Sequence, residues 1–436
     1  MILLYLAVIA FFVWYSTCSF EKSFFLFVVV RLFFNPGMAL RYQPPALTVD
    51  FLLCAYFCVM FFINRKKYRF FSDSCFFEKS FFLMIISYAV STAVAVLDGN
   101  MSAISWSIRI VLCNYLIYII FWRVCTSNFL SLRVVKTIET AFIFVLLYGV
   151  FEAVAGINPV LNFINSSIPQ EYSADKMYLS DLSNLSRGGR ARYQSLFYIT
   201  ILYGIAMMLF AFYIPLVKNI YTHKNKLFYP LLFAGCLIAI FLSNSKTPIV
   251  AFPIFLIPYL KKRAYAIPII LGCVIVFFLS YSDQSFISNF IDMNTFDTKN
   301  YNSRDGSNMQ MRLNQLEISW TAFCESPIVG NGIKYASYLA KTSRGFGLLG
   351  AESCWFKLLI EQGAVGIFAY LTVIFSFLKM SLRLNRNIRY PLFFYACGFF
   401  VMASITDIAY DVFFLLYITV VKVHYFYQHE KGGCIS

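Results

Sequence analysis

Long apolar runs separated by short charged stretches repeat along almost the whole chain. The runs cover residues 2–18, 21–35, 46–63, 79–97, 104–122, 137–155, 194–217, 227–243, 247–260, 264–281, 354–378, 390–405 and 408–426. The hydrocarbon core of a bilayer takes roughly 20 apolar residues of helix. Because backbone groups in lipid must be paired within their own segment, such runs predict helices. We therefore expect residues 1–436 to form one integral membrane domain, an all-α polytopic transmembrane helix bundle of about 12–13 spans.

The basic residues are concentrated in alternate loops of this predicted bundle. The chain is 60% hydrophobic and 13% charged, with a formal net charge of +15. The loops that carry the excess contain Arg65, Lys66, Lys67, Arg69, Arg123, Arg133, Lys136, Lys218, Lys224, Lys226, Lys261, Lys262, Arg263, Lys379, Arg383, Arg386 and Arg389. The positive-inside rule assigns these loops to the cytoplasm. The net charge is therefore a topology signal, and we expect no nucleic-acid partner.

Two larger loops, 156–193 and 282–353, fall on the opposite, outer side. The second contains six basic and seven acidic residues, so it is nearly neutral. A capping box begins at Ser307, and Leu313, Leu316, Trp320 and Phe323 then recur at helical spacing. This pattern predicts an amphipathic helix at about 308–325. Such a helix would lie on the membrane surface or cover the mouth of a cavity.

Several cations on the outer side are candidates for binding an anion. Arg187, Arg190 and Arg192 lie within six residues around a Gly-Gly pair, and arginine binds phosphate oxygens in a bidentate manner. Lys246 lies in a very short turn between two spans. The alternative for each is contact with ordinary lipid headgroups.

Arg109 and Arg312 complete the set of candidate cations. Arg109 lies about five residues inside a span, where an ionisable group is costly and points to function. Arg312 lies in the second turn of the predicted amphipathic helix. Snorkelling to lipid phosphate is the structural alternative for both.

Other kinds of catalytic site find no support in the sequence. His223, His424 and His429 all map to the cytoplasmic side, so no Ser-His-Asp site is expected outside. We find no His or Cys cluster typical of a catalytic metal and no nucleotide-binding motif. The sequence therefore predicts metal-independent, cofactor-free chemistry on a donor that arrives through the membrane, with Arg and Lys holding its phosphates.

One stretch of the chain carries a family resemblance. It contains Arg312, then Ser326-Pro327-Ile328-Val329-Gly330-Asn331-Gly332, then Glu361-Gln362-Gly363-Ala364-Val365-Gly366 in a span. This resembles the Wzy-type O-antigen polymerases of the O-antigen polymerase/ligase superfamily, whose pattern is Arg, P-x-x-G-x-G and E-x-G-x-x-G. Lys246 stands where the family's short turn carries Arg, and Arg192 matches the Arg that precedes the mid-chain span.

The resemblance implies a polymerase in the bacterial inner (plasma) membrane, working on the periplasmic side. Its substrates would be undecaprenyl-pyrophosphate-linked oligosaccharide repeat units, joined into O-antigen or capsule. We expect Arg312, Arg192 and Lys246 to bind the pyrophosphate, with smaller roles for Arg190 and Arg109. Ligases of the superfamily carry a His near the position of Glu352, which we therefore assign as the catalytic base beside Arg312. Membrane lipids and a chain-length regulator protein are candidate partners.

Three other functions stay open. A flippase or transporter of the same lipid-linked oligosaccharide would need charges in a central cavity and only short loops. An O-antigen ligase would transfer the finished glycan to lipid A core. A membrane scaffold without catalytic activity is the third.

Overall fold

The structure is a computed structural model that describes residues 2–42, 46–64, 67, 76–166, 168, 186–187, 190–218, 228–259, 309–340 and 353–432. Within these ranges the chain is almost entirely helical. The described strands form two short antiparallel hairpins: β1 (Ala39–Arg41) with β2 (Leu47–Thr48), and β3 (Ser186–Arg187) with β4 (Arg190–Ala191). The predicted all-α membrane bundle is confirmed.

The helices follow the apolar runs closely. They are α1 (Ile2–Cys18), α2 (Phe20–Val30), α3 (Val49–Ile63), α4 (Phe76–Leu97), α5 (Ser102–Ile110), α6 (Ile117–Val124), α7 (Asn128–Ala155), α8 (Pro159–Ser166), α9 (Thr200–Val217), α10 (Phe228–Leu242), α11 (Lys246–Leu256), α12 (Met309–Glu325), α13 (Tyr335–Leu339), α14 (Cys354–Leu382), α15 (Arg386–Ile405) and α16 (Tyr410–Gly432). A π-helical segment, Val111–Leu116, joins α5 to α6. Every predicted span except 264–281, which lies outside the described residues, coincides with a described helix.

Six of the described helical regions are long and apolar enough to cross a bilayer: 77–97, 102–124, 130–155, 200–217, 354–382 and 386–405. Among them α9 is the most enclosed, with 89% of its apolar window buried against 39–50% for the others. It packs against α7, α10, α11, α15 and α16. Aromatic rings fill these contacts; Phe210 stacks on Phe142 at 4.5 Å between centroids. Outward-facing residues such as Phe144 and Phe368 are exposed, as lipid contact requires.

The two ends of the bundle carry different charged groups. At one end Arg123 makes an ion pair with Glu78 at 2.6 Å, and the ammonium of Lys422 lies 3.9 Å from the ring centre of Trp122. The basic loops predict this end to be cytoplasmic. At the opposite end α4 stops at Leu97 and α15 at Ile405. We call this the outer end, following the same charge pattern.

Helix α14 is interrupted at Gly363, whose φ of 59° and ψ of −150° are not helical. Residues 326–332, which we call the 326–332 turn, insert at this break. The backbone bonds are Asn331 N to Ile360 O at 2.9 Å, Gly332 N to Glu361 O at 3.2 Å, Ala364 N to Pro327 O at 2.9 Å and Val365 N to Ile328 O at 3.1 Å. The groups that the break releases are thereby paired, and the turn ties α12 firmly to α14.

Candidate functional site

The corner between α15 and α16, residues 404–411, collects contacts from several distant segments. A guanidinium N–H of Arg312 donates to the carbonyl of Ile405 at 2.8 Å. The hydroxyls of Thr247 and Thr406 lie 3.0 Å apart and are hydrogen-bonded. The corner therefore joins the helix that carries Arg312 to the first turn of α11.

Lys246 is the first residue of α11 and is half-buried. The turn before it is tight: Asn244 has a φ of 46°, and the Ser243 hydroxyl donates to Ile240 O at 2.7 Å. Because Thr247 is bonded to the 404–411 corner, Lys246 is held beside the same corner as Arg312. A short turn between two packed helices leaves this cation little freedom to move away.

Arg192 precedes a segment that is fastened at both sides. The N–H of Tyr193 donates to Leu242 O at 3.2 Å, which links the segment to the end of α10. The next two N–H groups, of Gln194 and Ser195, donate to one carboxylate oxygen of Glu152 at 3.2 and 2.6 Å. Arg192 is thus placed at the outer ends of α7 and α10, next to the turn that leads to Lys246.

The structure therefore brings Arg192, Lys246 and Arg312 to neighbouring elements at the outer end. Arg190 lies in β4, where its backbone pairs with Arg187; its side chain is outside the described part. Glu352 lies outside the described residues. It directly precedes Ser353, whose hydroxyl donates to Ser404 O at 2.6 Å.

A cavity of about 690 Å³ opens next to this corner. Its lining includes three cationic, three acidic and several aromatic residues: Arg31, Arg109, Lys357, Asp50, Asp407, Asp411, Tyr42, Tyr88, Trp106, Tyr115, Tyr198, Tyr370 and Tyr410. Its size is typical of sites for small molecules or parts of larger ligands. The mixture of rings, carboxylates and cations suits a ligand with many hydroxyl groups.

Among the described cations of the cavity wall, Arg31 makes the most bonds. It is buried, and its guanidinium bonds to Asp50 at 3.1 Å and Asp411 at 3.3 Å. A third bond, of 2.6 Å, goes to the carbonyl of Cys113. Cys113 lies in the π-helical segment, and such segments leave carbonyls that can turn to other donors. Two carboxylates face one guanidinium here, so this part of the wall carries no excess of positive charge.

Lys357 bonds to Asp407 at 3.2 Å. Glu361 lies one turn further along α14, at the spacing that favours an ion pair with Lys357. In the structure the ammonium of Lys357 bonds to Asp407 instead, because the 404–411 corner folds over the start of α14. This ion pair fixes the corner to α14 just below the bond between Ser353 and Ser404.

Arg109 is half-buried and lines the same cavity. Within the described residues it makes neither a hydrogen bond nor an ion pair, so its charge is not compensated by a carboxylate there. Arg109 is thus a cation available to a ligand in the cavity.

Asp50, Cys54 and Cys113 place one potential metal-ligating atom each within 4.8 Å of one another. One of the three, Asp50, already bonds to the guanidinium of Arg31 at 3.1 Å. A fixed positive charge there opposes binding of a second cation. We interpret the cluster as support for Arg31.

Residues 231–371 match the sequence model of a family described as O-antigen ligase. This match relates residues 231–371 to the O-antigen polymerase/ligase superfamily. No curated protein matches the chain. The family resemblance predicted from the motif residues is confirmed over the matched region.

The region shared with the O-antigen ligase family covers α10 to the first two thirds of α14, so it includes Lys246, Arg312 and the break at Gly363. Family members are membrane enzymes of the glycosyltransferase type that act on lipid-linked glycans. Arg31, Arg109 and Arg192 lie before the matched residues. The cavity is therefore completed by parts of the chain that the family comparison does not cover.

Arg31, Asp50 and the role of Asp411 in holding Arg31 were not predicted from the sequence. All three lie inside or at the edge of predicted spans, at 21–35, 46–63 and 408–426. An ionisable residue in a span is a functional signal by default. That rule was applied to Arg109 and would have found these three residues as well.

Proposed function

We propose that this protein is a polymerase that joins undecaprenyl-pyrophosphate-linked oligosaccharide repeat units into a surface polysaccharide, O-antigen or capsule. The reaction would take place at the outer, periplasmic end of a bacterial inner-membrane protein. A hydroxyl of the incoming unit attacks the anomeric carbon of the growing chain. The new C–O bond forms there, the bond to pyrophosphate breaks, and pyrophosphate leaves on its lipid with the electron pair.

The observation that carries the proposal is the meeting of Arg312 and the Lys246 turn at the 404–411 corner. Both lie in the stretch that matches the O-antigen ligase family. Arg192 approaches from the other side through Tyr193 and Leu242. Cations stabilise a leaving pyrophosphate most where its charge develops. We assign these three residues to that group, and Arg190 to a lesser contact.

The cavity beside the corner would hold the glycan. Two of its three cations, Arg31 and Lys357, are already paired with carboxylates, so its wall favours hydroxyl groups over a second anion. Tyrosine and tryptophan rings offer flat apolar faces together with polar edges. Arg109 is the exception, and we assign it to the phosphate nearest the cavity.

The attacking hydroxyl must lose a proton to a base. We assign this role to Glu352. Its neighbour Ser353 bonds to Ser404, one residue before the carbonyl that Arg312 holds. Among the described residues, Asp407 and Asp411 are carboxylates that belong to the corner and line the cavity.

The family description favours a second candidate, an O-antigen ligase, which would transfer the finished glycan to another lipid. This sequence departs from the ligases of the superfamily in one respect. They carry a His where it has Glu352 and Ser353. His424 bonds to Leu216 O at the opposite end of the bundle. The polymerase is therefore the proposal.

The test is Arg312→Ala in cells whose own gene is deleted, with the surface glycan separated on a gel. Loss of long chains, with single repeat units still reaching the surface, supports the polymerase. Arg133→Ala, an exposed arginine toward the other end of α7, is the control and should leave the ladder unchanged.

Other patterns in the same gel exclude the proposal. Long chains retained on the lipid carrier identify a ligase, and repeat units trapped in the cytoplasm identify a flippase. A normal ladder from Arg312→Ala, with the protein present at wild-type level, removes Arg312 from the site.

A further inference from the structure

One face of α5 carries a group of polar and cationic residues at the outer end of the bundle. Ser102, Trp106 and Arg109 are spaced i, i+4 and i+7 along this helix, so their side chains lie on one side of it. The ammonium of Lys334 lies 5.2 Å from the ring centre of Trp106 and 3.4 Å from the hydroxyl oxygen of Ser102. We call Lys334, Trp106 and Arg109 the α5 site.

Arg109 connects the α5 site to the cavity. Helix side chains lean toward the N-terminus of their helix, and α5 begins at the outer end, shortly after α4 stops at Leu97. Arg109 is about 4.5 Å further along the helix than Trp106, so this tilt directs its guanidinium back toward the ring. Both residues line the cavity. A ligand there can therefore contact the ring and the cation together.

Lys334 is held in place by its own backbone. Its φ of 69° is in the left-handed region, which residues other than glycine seldom adopt. The carboxylate of Glu361, buried in α14, accepts the N–H groups of Lys334 and Ala336. The N–H of Ile333 donates to Ser91 O in α4 at 3.3 Å. Two helices thus fix a strained backbone, and such strain is typical of functional positions.

The α5 site is separate from the cations at the 404–411 corner. Arg312 lies near the start of α12, and the side-chain amide of Asn331 donates to Ala322 O near the end of that helix at 2.7 Å. From Arg312 to Ala322 the helix rises about 15 Å. Lys334 follows Asn331 and contacts α5, whereas Arg312 bonds to the end of α15. A single pyrophosphate is too short to bridge the two cations.

The proposed reaction brings two lipid-linked pyrophosphates to the protein. The pyrophosphate of the growing chain leaves, whereas that of the incoming unit stays attached throughout. Because the attacking hydroxyl belongs to the glycan of the incoming unit, the second pyrophosphate must be held away from the first. The cavity provides this separation, since its lining runs from Trp106 and Arg109 to Asp407 and Asp411 of the corner.

We propose that the α5 site binds the pyrophosphate of the incoming lipid-linked unit, while Arg192, Lys246 and Arg312 bind that of the growing chain. The assignment rests on the proposed function and states which of the two substrates Arg109 contacts. Lysine and arginine form short charge-assisted hydrogen bonds with phosphate oxygens. The Trp106 ring holds the ammonium of Lys334 by a cation–π contact.

The position of α5 suits a ligand that is anchored in the bilayer. Ile104 and Ile108, on the face of α5 opposite Trp106, are 40% and 48% exposed. This helix therefore lies at the edge of the bundle, where a polyprenyl chain can approach from the surrounding lipid. The headgroup phosphate of an ordinary anionic lipid has the same chemistry, and the experiment separates the two sources.

The experiment counts the molecules of undecaprenyl pyrophosphate that bind to the full-length protein in detergent, by native mass spectrometry. Wild-type protein should bind two. Lys334→Met and Arg109→Gln should each weaken one binding step by about 10-fold or more, because a hydrogen bond to a charged group is lost, and leave the other step unchanged. Arg312→Ala should weaken the other step, and Lys334→Met combined with Arg312→Ala should weaken both.

Arg41→Gln is the matched control, because Arg41 is an exposed arginine of β1; it should leave both steps unchanged. In each single variant the remaining bound molecule shows that the protein is folded. Phosphatidylglycerol added in excess should not displace the molecule whose binding depends on Lys334. Displacement would identify an ordinary headgroup site and overturn the proposal.

Three other results would overturn the proposal. One is a wild-type protein that binds a single molecule. Another is wild-type binding of both molecules by Lys334→Met and Arg109→Gln. The third is loss of both molecules in each of these variants, which would mean that all the cations form one site. The readout is binding, so two separate sites found together with a ligase pattern in the glycan gel would keep the α5 site and reject the polymerase.

Discussion

Gly330 and Gly363 lie against each other so closely that neither has room for a side chain. A Cβ on Gly363 would be 2.6 Å from the backbone nitrogen of Gly330, and one on Gly330 would be 2.4 Å from the nitrogen of Gln362. Both residues also have positive φ angles, 73° for Gly330 and 59° for Gly363. The two glycine motifs of the family resemblance are therefore two halves of one backbone contact.

Gly330→Ala and Gly363→Ala should each prevent the 326–332 turn from inserting into α14. We expect far less folded protein in detergent extracts, measured by fluorescence-detected size exclusion before and after heating. Gly156→Ala is the control, because Gly156 has a φ of 68° and nothing within 4 Å of its Cβ position. Its cost should be backbone strain alone, about 1–2 kcal/mol. Equal stability of all three variants would contradict the close-contact account.

The apolar runs predicted the helices, but the sequence did not predict the contact between the two glycine motifs. Apolar length determines a span locally, so the runs and the helices agree. Whether residue 330 meets residue 363 depends on the break in α14 and on the packing of α12, which are tertiary properties. The same limit applied to Lys357, whose local partner would be Glu361 and whose observed partner, Asp407, follows a different helix.

Glu152→Gln should reduce polymer formation without abolishing it. One oxygen of Glu152 accepts the N–H groups of Gln194 and Ser195, directly after Arg192. Losing the charge of such an acceptor costs about 1–3 kcal/mol, and we expect the segment with Arg192 to loosen. Donor titration in reconstituted vesicles should show a higher KM with a smaller change in kcat.

Glu139→Gln provides the matched control for Glu152. Both are buried glutamates of α7, but Glu139 lies toward the opposite end of the helix. It should leave the KM for donor unchanged. Equal effects of the two variants would show that Glu152 acts on the stability of α7 and not on Arg192.

The ion pair between Lys357 and Asp407 should be measurable in a double-mutant cycle. Their side chains are 30% and 20% exposed, so we expect a coupling energy of about 1 kcal/mol. The variants are Lys357→Met, Asp407→Asn and the double substitution, compared by thermal unfolding in detergent. Additive effects would mean that the two groups are not paired in solution.

Only some residues of the candidate site could be predicted from the sequence, and the reason is physical. Arg109, Arg192, Lys246 and Arg312 stand out in the sequence because cations on the predicted outer side oppose the topological trend. Asp50 and Asp411 carry the signal of an ionisable residue in a predicted span, but the sequence does not show what they bond to. Only the fold shows that both bond to Arg31, from two helices far apart in sequence.

The base can be identified by comparing three carboxylates, each replaced by its amide. Asp50→Asn and Asp411→Asn remove the same kind of ion pair from Arg31. A loss of activity common to both variants would therefore come from the weaker hold on that guanidinium. Glu352→Gln leaves both of these aspartates in place. A general base contributes about 10²–10⁴-fold to a rate. If Glu352 is the base, Glu352→Gln should lower kcat by that factor and keep donor binding, while the two aspartate variants change it far less. Asp411 has the more exposed side chain of the aspartate pair, 34% against 20%. A large kcat loss in Asp411→Asn alone, with Asp50→Asn and Glu352→Gln active, would transfer the role to Asp411.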